Sequence, residues 1–487
     1  MIFNSLTFLT FLAIIVPLYW ALPRTPKLVL IFLAGIVFYG FWRIDFLVVL
    51  FVSITFDYFS GLIIHSAKNQ RTRRIFLTLS LTFNLGLLAF FKYFYFLHDA
   101  ASGIGSLFGV TIAPTTLRII LPIGISFYTF HSMSYIIDIY RGFITPVRNF
   151  LLFFDYVVFF PQLVAGPILR AGEMLWQLDK RPDFRASDIR LGFSRIAIGL
   201  FLKVCIADNI AVFVDEAFKL DAHSLSAIDV LTMAFMFGFQ IYFDFSAYSH
   251  IAIGSARLMG IVFPENFNFP YHSASPRIFW RRWHISLSSW IRNYVYLPLA
   301  GVKVRDRMST GGIGIDGTGQ VGGRSALFAL FATWAIMGLW HGAAWTFVVW
   351  GVWHASMVAG HRMLSTLVQI PQSKIWLFLG WGVTLVLAML GWIPFRAPSM
   401  AYTLQAWSHV LDPYGYATLN LRETTYVVAA LTLLLTISVP FAYRWLLMIR
   451  ARWPVASLPL MVLGWTSILT FTFIYLRPLN QFIYFQF

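Results

Sequence analysis

Residues 325–361 read SALFALFATWAIMGLWHGAAWTFVVWGVWHASMVAGH, which is 37 consecutive positions without an Asp, Glu, Lys or Arg. A helix needs ~20 apolar residues to cross the hydrocarbon core of a bilayer. This run is long enough to hold more than one membrane element. Comparable apolar stretches lie near 2–22, 28–42, 45–65, 75–97, 119–137, 149–166, 190–215, 226–247, 375–394, 424–443 and 457–476. Together they give about ten to twelve spans. The fold class is an all-α polytopic membrane protein with interfacial and re-entrant helices, read as one membrane-embedded domain over 1–487. The core motifs lie in 120–356 and an aromatic tail in 480–487.

The composition agrees. Of 487 residues, 59% are hydrophobic, 18% aromatic and only 11% charged, where soluble domains carry roughly 25% charge. A soluble globular enzyme, a disordered chain and a nucleic-acid-binding domain are excluded. The net charge of +16 calls for no polyanion, because Lys and Arg gather in the cytoplasmic loops of membrane proteins. Arg24 and Lys27 follow the first span, Lys68, Arg71, Arg73 and Arg74 the third, and Arg141 and Arg148 the fifth. This pattern puts the N-terminus outside. With Arg444, Arg450 and Arg452 cytoplasmic, it also places the tail NQFIYFQF on the extracytoplasmic side. The first apolar segment lacks a basic leader and a small-residue cleavage site, so it reads as a retained helix. Cys205 is the one cysteine and reads as packing. Gly312, Gly314 and Gly317 form a G-x-G-x-x-G without a surrounding βαβ unit, so they read as a connection and not a dinucleotide site. No C-x-x-C or H-E-x-x-H is present, so no metal is expected.

Polar residues at membrane depth are costly and point to function or to specific pairing. Arg277–Ala300, RIFWRRWHISLSSWIRNYVYLPLA, is the densest case. At helical spacing Arg277, Arg281, His284, Ser288 and Arg292 form one polar stripe, opposite Trp280, Trp283, Leu287, Trp290 and Tyr294. Periodicity alone allows an interfacial helix whose arginines meet lipid phosphates. A histidine inside a cationic stripe allows a sharper reading. Its pKa would be depressed, it would stay neutral, and it could accept a proton while the arginines bind an anionic substrate. His341, in MGLWHGAAWTF, stands within the uncharged run. It is either a hydrogen-bonded core histidine or an acid–base group, and Gly342 beside it would admit a close neighbour. His354 and His131 read as structural. Pro161, Gly166 and Pro167, with Pro122 and Gly124, break apolar segments. Asp244, in QIYFDFSAYSH, needs a partner, which a cation of the 277–292 stripe could supply.

FWRRWHISLSSWIRNYVYLPLA, GLWHGAAWTFVVWG, QIYFDFSAYSHIAIG, PENFNFPY and FPQLVAGPI resemble the membrane-bound O-acyltransferase (MBOAT) family. The nearest branch is the alginate O-acetyltransferase type, which includes peptidoglycan O-acetyltransferases and the teichoic-acid D-alanylation protein. The resemblance implies a ring of membrane helices around a central funnel or tunnel. His341 matches the family's near-invariant histidine and His284 its second histidine. Asn293 stands where this branch usually has Asp. The resemblance further implies acetyl-CoA as donor substrate, with no permanently bound cofactor, and a polysaccharide acceptor. It also implies an extracytoplasmic SGNH-type acyltransferase as partner and location in the bacterial cytoplasmic (inner) membrane. The aromatic end FIYFQF matches a terminal motif of the branch, where Tyr484 is either packing or an acyl relay.

The resulting expectation is an O-acetyltransferase with His341, His284 and Tyr484 as catalytic residues. Arg281, Arg282, Trp283, Asn293, Trp340 and Asp244 are the expected substrate-binding residues. His341 acts as base, and His284 with its arginines holds the donor or stabilises negative charge. The alternatives are a D-alanylation-type or protein- or lipid-directed O-acyltransferase, and a transporter of an acylated intermediate.

Overall fold

The computed structural model describes residues 1–164, 166–180, 182–302, 324–368, 373–476 and 482–483. Among them the regular structure is entirely helical. In chain order the first helices are α1 (Leu6–Ala21), α2 (Arg24–Gly40), α3 (Asp45–Ser66), α4 (Gln70–Leu107), α5 (Ile125–Arg141), α6 (Phe150–Val158), α7 (Phe160–Leu163), α8 (Ala171–Asp179), α9 (Ala186–Phe201) and α10 (Asp208–Ala217). There follow α11 (Ala227–Leu258), α12 (Pro276–Arg282), α13 (Ile285–Ile291), α14 (Leu297–Leu299), α15 (Arg324–His341), α16 (Trp345–Leu367), α17 (Lys374–Arg396), α18 (Met400–Leu411), α19 (Glu423–Arg452) and α20 (Leu458–Tyr475). Among the described residues seven helices are long and apolar enough to cross a membrane. They are α3, α4, the continuous run Ala186–Ala217, α11, α17, α19 and α20. The other expected spans are shorter or interrupted.

The interruptions have local causes. Segment 119–137 becomes helical only at Ile125, because Gly124 sits at φ 76°, a left-handed conformation that suits glycine. Segment 149–166 breaks at Phe159, whose φ −54° and ψ 109° leave the helical region ahead of Pro161, since an unbroken helix would drive the proline ring into the carbonyl of Val157. The long uncharged run forms α15 and α16, with a break at 342–344.

The chain forms two compact units, residues 1–196 with 251–264, and residues 197–250 with 265–487. In the first unit, Asp57 on α3 is buried and held by α4. Ser80 Oγ donates to its Oδ1 (2.6 Å), and Asn84 Nδ2 reaches both oxygens (3.1 and 3.0 Å). His131 lies in this unit, fully buried, with its ring 5.8 Å from that of Tyr156. The second unit carries a dense aromatic core. His354 is caged there by Trp280 (4.9 Å), Trp350 (5.0 Å) and Trp334 (5.8 Å). Cys205 is half-buried. The glycine-rich Gly312–Gly317 lies outside the described residues.

Candidate functional site

Arg277–Ala300 is not one amphipathic helix. Ser275 caps α12, its Oγ accepting from Ile278 N–H. The helix ends at Arg282, Trp283 is extended, and His284 takes φ 41° before α13 begins. Residues Arg292–Tyr296 then widen into a π-helical turn. The Pro/Asn-rich PENFNFPY holds the break open. Asn268 N–H donates to Arg282 O (3.0 Å), and Ile285 N–H donates to Asn266 O (2.9 Å). These bonds satisfy backbone groups that the break releases. The predicted polar stripe therefore dissolves. Arg281 is exposed, whereas His284 is buried.

His284 lies outside the spanning helices. Its Nδ1 is 3.1 Å from Asn266 Oδ1. Its ring packs against Phe245 edge-on (4.6 Å), Phe267 (6.4 Å) and Trp340 (6.4 Å). Burial pushes its pKa down to about 3, so the imidazole is neutral. The sequence anticipated a depressed pKa from neighbouring cations; removal from water is the cause. Nε2 meets no hydrogen-bond partner among the described residues.

His341 ends α15 and is buried. Its ring contacts Trp340 (4.8 Å), Trp350 (4.9 Å) and Phe395 (5.2 Å). The space over Gly342 is filled by the Phe347 ring, so that glycine admits a side chain of the next helix. Trp340 thus touches both imidazoles, and the two histidines from distant segments share one aromatic layer.

The remaining expected residues are placed as follows. Trp283 is buried among Trp392 (4.9 Å), Phe267 (5.2 Å) and Phe279 (5.7 Å). Arg282 Nη1 donates to His272 O (3.2 Å), and Arg292 Nη1 donates to Asn293 Oδ1 (3.3 Å). Asp244 is not paired with the 277–292 segment. Its cation is Lys203 (2.7 Å), which also binds Asp208 (2.8 Å). A π-helical turn at Leu202–Ala207 carries Lys203. Ile483 N–H donates to Asp244 Oδ2 (2.8 Å), and Phe482 stacks on Tyr248 (4.3 Å). Phe482 also contacts Phe245 (5.5 Å), the ring that abuts His284. Tyr484 lies outside the described residues. Sequence reasoning missed Asn266 and Lys203. The first was legible only as part of a turn, the second as one cation in an apolar run.

Residues 144–313 match the model of MBOAT, the membrane-bound O-acyltransferase family. The chain is 39% identical over 440 residues to "Probable alginate O-acetylase AlgI" of Azotobacter vinelandii, covering 89% of this chain and 83% of that one. It is 38% identical to the protein of the same name from Pseudomonas aeruginosa, covering 87% and 76%. It is 35% identical to "Peptidoglycan O-acetyltransferase" of Helicobacter pylori, covering 82% and 76%. With its apolar helices and its two buried histidines, the chain belongs to the membrane-bound O-acyltransferase family and is a multi-span membrane acyltransferase.

Proposed function

We propose that this protein takes an acetyl group from acetyl-CoA on the cytoplasmic side of the bacterial inner membrane and delivers it for O-acetylation of an extracytoplasmic polysaccharide. The observation that carries the reading is the pair of buried imidazoles, His284 and His341, gathered on Trp340. His341 takes the proton of an acceptor hydroxyl. The oxygen attacks the thioester carbonyl and a C–O bond forms. The C–S bond then breaks, and CoA leaves as a thiolate that recovers the proton. Base assistance of this kind contributes about 10²–10⁴-fold. Arg281 and Arg282 suit the phosphates of CoA.

Alginate is the first polymer to try, since the A. vinelandii and P. aeruginosa relatives carry that name. Peptidoglycan is the second, favoured by the H. pylori relative. Tyr484 is the proposed relay. Its phenol, deprotonated by His341, takes the acetyl group and passes it to an SGNH-type partner outside. The basic loops support an orientation with the N-terminus and the tail extracytoplasmic.

Membranes containing the protein, given acetyl-labelled CoA, should release CoA and move label to an extracytoplasmic acceptor. Full transfer by His341→Ala would remove that residue from the mechanism. Movement of an acetylated sugar without thioester cleavage would make the protein a transporter. Undiminished transfer by Tyr484→Phe would make the tail packing only.

A further inference from the structure

We infer that Asn266 is a positioning residue that fixes one tautomer of His284, with the proton on Nδ1 and a bare Nε2 held as a hydrogen-bond acceptor for the reacting groups. This rests on the acyl-transfer reading above and specifies one of its two histidines.

A backbone N–H can only donate. Ser286 N–H donates to Asn266 Oδ1 (3.3 Å), and Ser286 Oγ lies 2.9 Å from the same atom. The other end of the amide, Nδ2, donates to Ser249 Oγ (3.1 Å). The amide is therefore oriented, with its carbonyl oxygen toward His284. That oxygen accepts only, so His284 Nδ1, 3.1 Å away, carries the proton. A neutral imidazole has one N–H, which leaves Nε2 with its lone pair. Nε2 is buried, and among the described residues no group forms a hydrogen bond to it.

The backbone reinforces the assignment. His284 stands at φ 41°, where few non-glycine residues go. Ile285 N–H to Asn266 O spans that bend, so the main chain and side chain of one residue set both the bend and the ring. The rings packed on His284 are those of Phe245, Phe267 and Trp340, which do not titrate. Of the roles the sequence left open for His284, this selects acceptance. A bare Nε2 can receive an O–H and align it for attack, but it cannot donate to an oxyanion.

Two measurements test this. Protein with ¹⁵N-labelled histidine rings in lipid nanodiscs is compared with His284→Gln, which identifies the His284 signals. The expected pattern is a protonated Nδ1 and an unprotonated Nε2, lost or mixed in Asn266→Ala. A proton on Nε2, or an unchanged tautomer in Asn266→Ala, would overturn the inference. The second measurement is the pH profile of acetyl transfer. Asn266→Asp keeps the shape and places a carboxylate against Nδ1–H, which favours the charged ring. Activity should then be lost at higher pH on the acid side than in the wild type. Asn266→Ala should lose at least about 10-fold at every pH, because the tautomer is no longer set. An acid limb that stays in place in Asn266→Asp counts against the inference even if transfer proceeds. If the wild type cleaves no thioester, the acyl-transfer reading falls, and the ring spectra still decide the tautomer.

Discussion

His284 and His341 meet on one indole: the Trp340 ring lies 6.4 Å from the first imidazole and 4.8 Å from the second. Groups that serve one reaction centre lose function together. His284→Ala and His341→Ala should each cost about 10²–10⁴-fold in acetyl transfer. The double variant should cost no more than the worse single one. Losses that multiply would mean that the rings act separately. Transfer from labelled acetyl-CoA in membranes is the measurement.

The buried Lys203 holds two carboxylates, the buried Asp244 and the half-buried Asp208. Breaking a buried pair leaves an uncompensated charge and costs about 3–5 kcal/mol. Lys203→Met should lower the unfolding temperature in detergent markedly. Asp244→Ala should also free the Phe482–Ile483 segment, because Ile483 N–H loses its acceptor. Limited proteolysis of a C-terminally tagged protein reads that release. A tail equally protected in both proteins would show that the aromatic stack on Tyr248 suffices.

A methyl group at Gly338 would run into the backbone oxygen of Phe347, whereas one at Gly360 would meet nothing within 4 Å. Gly338→Ala should therefore force α15 and α16 apart, at about 1–3 kcal/mol. Because His341 follows on the same helix, transfer should fall with stability. Gly360→Ala should be neutral or slightly stabilising, since alanine favours a helix interior. Thermal unfolding of the two variants side by side decides the point.

Burial holds His284 at about 3, against 6.5 for a free imidazole. Between these values the unfolded chain binds a proton that the folded one refuses. The folded state is then at its full stability above about pH 6.5 and loses stability as the pH falls below it. His284→Gln removes this contribution. Its unfolding temperature should fall less steeply than that of the wild type between about pH 6.5 and 4. Parallel curves would place the imidazole in contact with water.

Hydropathy and charge by themselves determined the class of this protein. Lipid offers the backbone no partner, so long uncharged runs such as 325–361 must become helices. The motifs around His284 and His341 were enough to mark both residues. The tertiary structure decided where they lie and what they touch. A periodic pattern assumes an unbroken helix, and PENFNFPY breaks the helix at Trp283–His284 by taking its freed backbone bonds. The stripe of arginines was lost with it, and His284 turned inward onto Asn266. Asp244 found Lys203, 41 positions earlier in the chain, and not an arginine of that stripe. Pairing of this kind depends on which helix faces come together, and linear spacing does not encode that across separate helices.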